Sequence, residues 1–107
     1  MIESTNKQTN KGAVNMIKTL NELDNALNKQ QVTFGDKQTL EDNREVYEFM
    51  KTHKMLDISA KVKVNSNGHQ ILNELYMKDD KLYELETVYR SSNRFMYAIA
   101  TEIIETK

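Results

Sequence analysis

Apolar positions recur at helical spacing near the start of the chain. Met16, Leu20, Leu23 and Leu27 lie three and four residues apart, with Val14 and Ile17 beside the same stripe. That pattern predicts a helix of roughly four turns with one apolar face. QVTFG, residues 31–35, is β-branched and aromatic and is closed by Gly35, which predicts a strand of a few residues. Asp36 and Thr39 can each accept a backbone amide, and Thr39 with Asp42 three residues on has the form of a capping box. A short helix over residues 37–42 is therefore expected. Val46, Tyr47, Phe49, Met50 and His53 then follow a helical period from Arg44 to about Lys54, with Asn43 as a second candidate cap. One continuous helix is the competing reading, because no Pro or Gly falls between 36 and 67.

From Ile58 the period becomes two. Ile58, Ala60, Val62 and Val64 alternate with Ser59, Lys61 and Lys63, the pattern of a strand with one wet face. NSNG supplies residues that tolerate positive φ and predicts a tight reversal into a strand through Ile71, Asn73, Leu75 and Met77. KDDK reverses the chain again into LYELETVY, with Tyr83, Leu85, Thr87 and Tyr89 on one side. Ser91 and Ser92 can cap a last helix, Ser92 to Glu105, whose apolar face is Phe95, Met96, Ile99, Ala100 and Ile103. The expected fold is α+β: a three-stranded antiparallel meander covered by helices, with the last helix added at the C-terminus. Residues 1–12 are polar and without an apolar period, so they read as a flexible arm before a single domain over 13–107.

Composition narrows this picture only modestly. A chain of 107 residues, 38% hydrophobic and 29% charged, is one domain's worth and outside the composition of disordered chains. It has no cysteine, which removes disulfides, thiolate nucleophiles and cysteine-ligated zinc. No apolar run approaches the roughly 18 residues of a membrane span, and no signal-like segment opens the chain, so a cytoplasmic protein is expected. The formal charge of −1 says little as a total; the placement of the charges says more.

Candidate chemistry is sparse. Glu84 and Glu86 share a strand face but have no histidine or third carboxylate placed with them, and a wet strand face is the better reading. His53 and His69 stand sixteen residues apart without a ligand partner between them. Ser91 and Ser92 lack a base or glycine elbow. Asp79 and Asp80 read as a turn, and Tyr76, Tyr83 and Tyr89 as cross-strand packing rather than a stacking platform for bases. No catalytic residue, metal site or cofactor is expected.

VYEFMKTHKMLDISAKVKVNSNGHQILNELYMKDD, residues 46–80, has an apolar helix ending in a basic stretch, a two-residue apolar step, a strand, an NG-type turn and a returning strand. This rhythm, over roughly residues 14–78, resembles the winged helix-turn-helix family. It departs from that family at Met55, near the place of the usual glycine after the recognition helix, and in the poorly marked first helix of the pair. The resemblance implies double-stranded DNA as partner and the helix from Arg44 in the major groove. The charges of that segment are balanced, however: Lys37, Arg44, Lys51 and Lys54 against Glu41, Asp42, Glu45 and Glu48. Phosphate attraction needs net positive charge at the contact. The hairpin has the better balance, with Lys61 and Lys63 entering NSNG and His69 leaving it. The expected DNA contacts are therefore Lys61, Lys63, Asn65, Ser66, Asn67 and His69, with Arg44 from the helix. The short polar side chains suit a narrow, AT-rich minor groove.

With its size and its Lys/Asn/Ile-rich composition, a wing-led DNA contact makes the chain similar to the TcpK-type relaxosome accessory proteins of clostridial conjugative plasmids. That resemblance implies an accessory or regulatory protein of a mobile element that binds at a plasmid transfer origin during conjugation. In winged-helix families an added C-terminal helix commonly serves dimerisation, so a homodimer through Phe95, Met96, Ile99 and Ile103 is expected. The alternative function is a mobile-element inhibitor or adaptor that binds another protein, either as a DNA mimic or in counter-defence.

Overall fold

The computed structural model describes Val14 and residues 16–106; the expected arm, residues 1–12, lies outside the described residues. Among the described residues there are two helices and six strands. They are α1 (Leu20–Asn28), β1 (Val32–Leu40), α2 (Asn43–Thr52), β2 (Lys54–Ile58), β3 (Lys63–Val64), β4 (Gln70–Lys78), β5 (Lys81–Tyr89) and β6 (Phe95–Glu105). The strands form one antiparallel sheet in the order β1-β6-β5-β4-β2, with β3 pairing β4 further along the same edge as β2.

Residues directly opposite in an antiparallel ladder project to the same face. Leu82 stands opposite Ile103, and both pack with Leu75, Val32, Leu23 and Ala26 under α1. Leu85 stands opposite Ala100, and both pack with Tyr76, Ala98, Leu40 and Phe49 under α2. The sheet is thus the middle layer, and each helix covers part of one side. This arrangement corrects the expected winged-helix α+β fold. A helix-turn-helix needs two helices packed on each other, whereas here the sheet separates them.

Local chemistry explains where the elements begin. The Thr19 hydroxyl accepts the Glu22 amide at 3.0 Å, while the Glu22 carboxylate accepts the Thr19 amide at 3.1 Å. This reciprocal box starts α1 at Leu20, later than the apolar stripe suggests. Val14 and Ile17 still join the core ahead of it, but Met16 is exposed. The Asp42 carboxylate accepts the Glu45 amide at 2.9 Å and caps α2, in place of Asn43.

Four further expectations need correction. The short helix over residues 37–42 is absent: residues 37–40 continue β1, paired through Lys37–Thr101 to Leu40–Ala98, after an irregularity beside Gly35. The single strand from Ile58 to Val64 is broken between β2 and β3, and its supposed core residues Val62 and Val64 are 46% and 66% exposed. Neither has sheet on its outer side, because β2 and β3 form an edge. The C-terminal helix is β6, inserted between β1 and β5. Its residues are apolar on both faces because α1 and the sheet core lie on one side and α2 on the other, and a run buried on both faces imitates a helical period. The dimer face drawn from it disappears with the helix. Ile99 and Ile103 turn to the α1 side, Ile103 being 3% exposed, while Phe95 packs on the α2 side. The meander of β4 and β5 with the preceding hairpin is present as expected.

Candidate nucleic-acid interface

The hairpin between β3 and β4 is built by Asn65. Its side-chain oxygen accepts the amides of Asn67 at 2.9 Å and His69 at 3.0 Å, and its carbonyl accepts the Gly68 amide at 3.0 Å. Gly68 has φ +81°, a left-handed conformation that costs a residue with a Cβ. The Asn65 side-chain oxygen is therefore engaged by its own turn. Ser66 and Asn67 remain exposed at the tip, and His69 is half-buried at the base.

Lys61 and Lys63 are exposed, but they stand in different settings. Lys63 lies opposite Ile71 and lines a cleft with Asp24 and Glu84, so part of its charge is answered within the protein. Lys61 sits in the β2–β3 connection. Arg44 is not brought to the hairpin. It lines a different cleft with Asp42, Glu45 and Glu48 beside β1, four strands from β3, or about 19 Å across a sheet of ordinary spacing.

The sheet brings to the hairpin two residues that sequence reasoning missed. Gln70 pairs with Tyr89 at the end of the β4–β5 ladder, so the β5–β6 loop leaves the sheet beside the hairpin. That loop closes through the Arg90 amide on the Arg94 carbonyl at 2.7 Å and the Asn93 amide on the Arg90 carbonyl at 2.8 Å, with Asn93 at φ 68°. Tyr89 and Phe95 meet edge-to-face across its base, their centroids 6.4 Å apart. Arg90 and Arg94 are exposed. Once Ser91 and Ser92 are read as a helix cap, Arg90 falls before that helix and Arg94 on its first turn; as a turn, the two arginines flank one loop. The RSSNR pattern between two β-rich runs was the available signal.

One end of the sheet therefore collects Lys61, Lys63, His69, Arg90 and Arg94. The two segments that carry them, residues 59–73 and 87–101, contain no Asp or Glu, while Glu41 and Asp42, which follow Leu40 opposite Ala98, lie at the same end on the β1 side. The carboxylates of β4 and β5 begin further along, at Glu74 and Glu86, and the opposite end carries the Asp79–Asp80 turn, with both residues at positive φ.

Elsewhere, the His53 ring stacks on Phe49 with centroids 3.8 Å apart, and its Nδ1 lies 2.8 Å from the Phe49 carbonyl. Burial holds its pKa below the usual histidine value, against the effect of that carbonyl. It stays apart from His69, and among the described residues no group of three His, Asp or Glu side chains is placed to hold a metal ion. No helix among the described residues is long and apolar enough to cross a membrane. Comparison with protein-family models, with curated proteins and with solved structures finds no match.

Proposed function

We propose that the chain binds double-stranded DNA through the hairpin end of its sheet, as an accessory or regulatory protein of a mobile element. The observation that carries the DNA contact is that Lys61, Lys63 and His69 on the hairpin side and Arg90 and Arg94 in the neighbouring loop come from two segments that contain no carboxylate of their own. Such a surface attracts phosphates, and neutralising them releases counterions. The loops stand two strand spacings apart, about 10 Å, which is on the scale of a major groove about 12 Å wide. Arg90 and Arg94 then approach one phosphate strand and Lys61 the other. Ser66 and Asn67 of the hairpin and Ser91 and Ser92 of the arginine loop offer short donors and acceptors for base or sugar edges. Arg44 has no part in this grip, and Asn65 supports it by shaping the turn.

The test is fluorescence anisotropy on an AT-rich duplex at two salt concentrations. Binding that weakens steeply with salt supports the reading, and the absence of binding at low salt overturns it.

A second reading, protein binding, is favoured by one feature. Met55, Ile58 and Val64 are exposed along the β2–β3 edge, where backbone groups have no neighbouring strand on the outer side. A DNA-mimic version has less support, because the exposed charges of α2 mix Arg44 and Lys51 with Glu45 and Glu48.

A further inference from the structure

On the α1 side of the sheet a cleft of about 360 Å³ opens between the first turns of α1, the β2–β3 connection and the strands β4 and β5. It is lined by Asp24 from α1, Asp57 from β2, Glu84 from β5 and Asn73 from β4. Asn73 and Glu84 share a sheet face, since Asn73 stands opposite Glu86, two residues from Glu84. The Asn73 side chain is 8% exposed and donates through Nδ2 to the Glu84 carboxylate at 3.3 Å. Its Oδ1 is buried and has no hydrogen-bond partner. A buried acceptor left unpaired is costly, so this amide calls for a donor entering from the cleft.

The surrounding charge states what kind of donor. Asp57 gives one carboxylate oxygen to the Leu20 amide at 2.8 Å, which fixes the carboxylate and leaves its other oxygen outside that bond. Three carboxylates face the cleft against the single ammonium of Lys63. Burial raises the pKa of Glu84, and the neighbouring charges of Glu86 and Asp24 push it the same way. A positive group in the cleft would favour the ionised carboxylate against both effects. The acceptors are not gathered as metal ligands; they suit donors spread over a larger cation. A volume of this size, near the lower end of the roughly 300–1,000 Å³ of small-molecule sites, takes a side-chain-sized ligand.

The geometry points to a binding site for a small organic cation, a guanidinium or primary ammonium compound, whose N–H groups meet Asn73 Oδ1 and the carboxylates of Glu84 and Asp24. A guanidinium supplies planar, divergent donors, and so can serve an amide oxygen and a carboxylate together. The site is separate from the arginine loop and stands whether or not the chain binds DNA.

Agmatine, which carries one guanidinium and one ammonium, is the probe. Titrated into the ¹⁵N-labelled protein at constant ionic strength, it is expected to shift the Asn73 side-chain amide resonances saturably, with a Kd of about millimolar or tighter. Asp24→Asn, on the exposed side of α1, and Glu84→Gln are each expected to weaken that binding about tenfold while the rest of the spectrum stays folded. Asp24→Asn keeps the test open should Glu84→Gln disturb the sheet. No saturable shift in the parent protein, or the same affinity in Asp24→Asn as in the parent, overturns the proposal. So does an equal shift from sodium chloride alone.

Discussion

Gln70 and Tyr89 stand opposite each other as the terminal pair of the β4–β5 ladder. This pairing makes neighbours of two loops that lie about twenty residues apart in the chain, the Asn65 hairpin and the Arg90–Arg94 turn. Each alone is a short turn with two cations near it. Together they form a basic end on a protein whose total charge is −1. The total charge therefore does not describe this end, whose two loop segments carry no carboxylate although Glu41 and Asp42 lie on its β1 side.

Core position separates residues that look alike in sequence. Leu75 is fully buried, in the cluster under α1, whereas Val62 is half-exposed on the sheet edge. Leu75→Ala is expected to cost about 2–5 kcal/mol in chemical denaturation, and Val62→Ala less than about 0.5 kcal/mol. A large loss at Val62 would mean that this edge is covered in solution.

The hairpin depends on its first residue more than on its tip. Asn65→Ala removes an acceptor from two backbone amides and is expected to destabilise the protein by about 1 kcal/mol, whereas Ser66→Ala is expected to be neutral. Gly68→Ala forces a Cβ into a left-handed conformation and is expected to cost about 1 kcal/mol as well, although nothing lies close to the added atom. Equal melts for Asn65→Ala and Ser66→Ala would contradict this account of the turn.

Glu84 sets a direction for pH dependence. Its pKa is raised in the folded protein, first by burial, then by the charges of Glu86 and Asp24. When pH rises from below its ordinary value of 4.5, the unfolded chain loses this proton before the folded one does, so this group's contribution to stability falls with pH. Glu84→Gln is expected to raise the melting temperature at pH 7 and to change it little at pH 4. Burial raises Glu74 in the same direction, and the Gln substitution there should follow the same trend. A Glu84→Gln variant less stable than the parent at pH 7 would show that the ionised carboxylate holds the sheet together.

The parts of the fold legible in the sequence were those governed by one local signal. The alternation through Ile71 to Met77 and Leu82 to Tyr89, separated by KDDK, marked β4 and β5, and NSNG marked the hairpin before them. The helix from Arg44 was legible from its period, and its cap lay one residue earlier than Asn43. What failed was set by tertiary context. FMYAIATEIIE is apolar on two faces because the sheet's middle layer needs both, and nothing within the segment says whether its neighbours are helical turns or strands. Residues 37–40 are polar enough for a helix start and become strand because β6 offers a ladder. The site followed the fold. Lys61, Lys63 and His69 were visible in one loop, but Arg90 and Arg94 join them only when Ser91 and Ser92 are a turn between strands. The engagement of Asn65 by its own loop could be read only from hydrogen-bond geometry.

The basic end is tested most directly by the salt dependence of duplex affinity in two triple variants, followed by anisotropy. Lys61→Ala with Arg90→Ala and Arg94→Ala is expected to reduce the magnitude of the salt slope by about three units, roughly one for each phosphate no longer neutralised, and to abolish binding at physiological salt. Lys37→Ala with Arg44→Ala and Lys51→Ala removes the same charge from β1 and α2 and is expected to leave the slope unchanged within about one unit. If the second set abolishes binding while the first retains the parent's affinity and slope, the DNA contact belongs to α2, and the hairpin end of the sheet is not the interface.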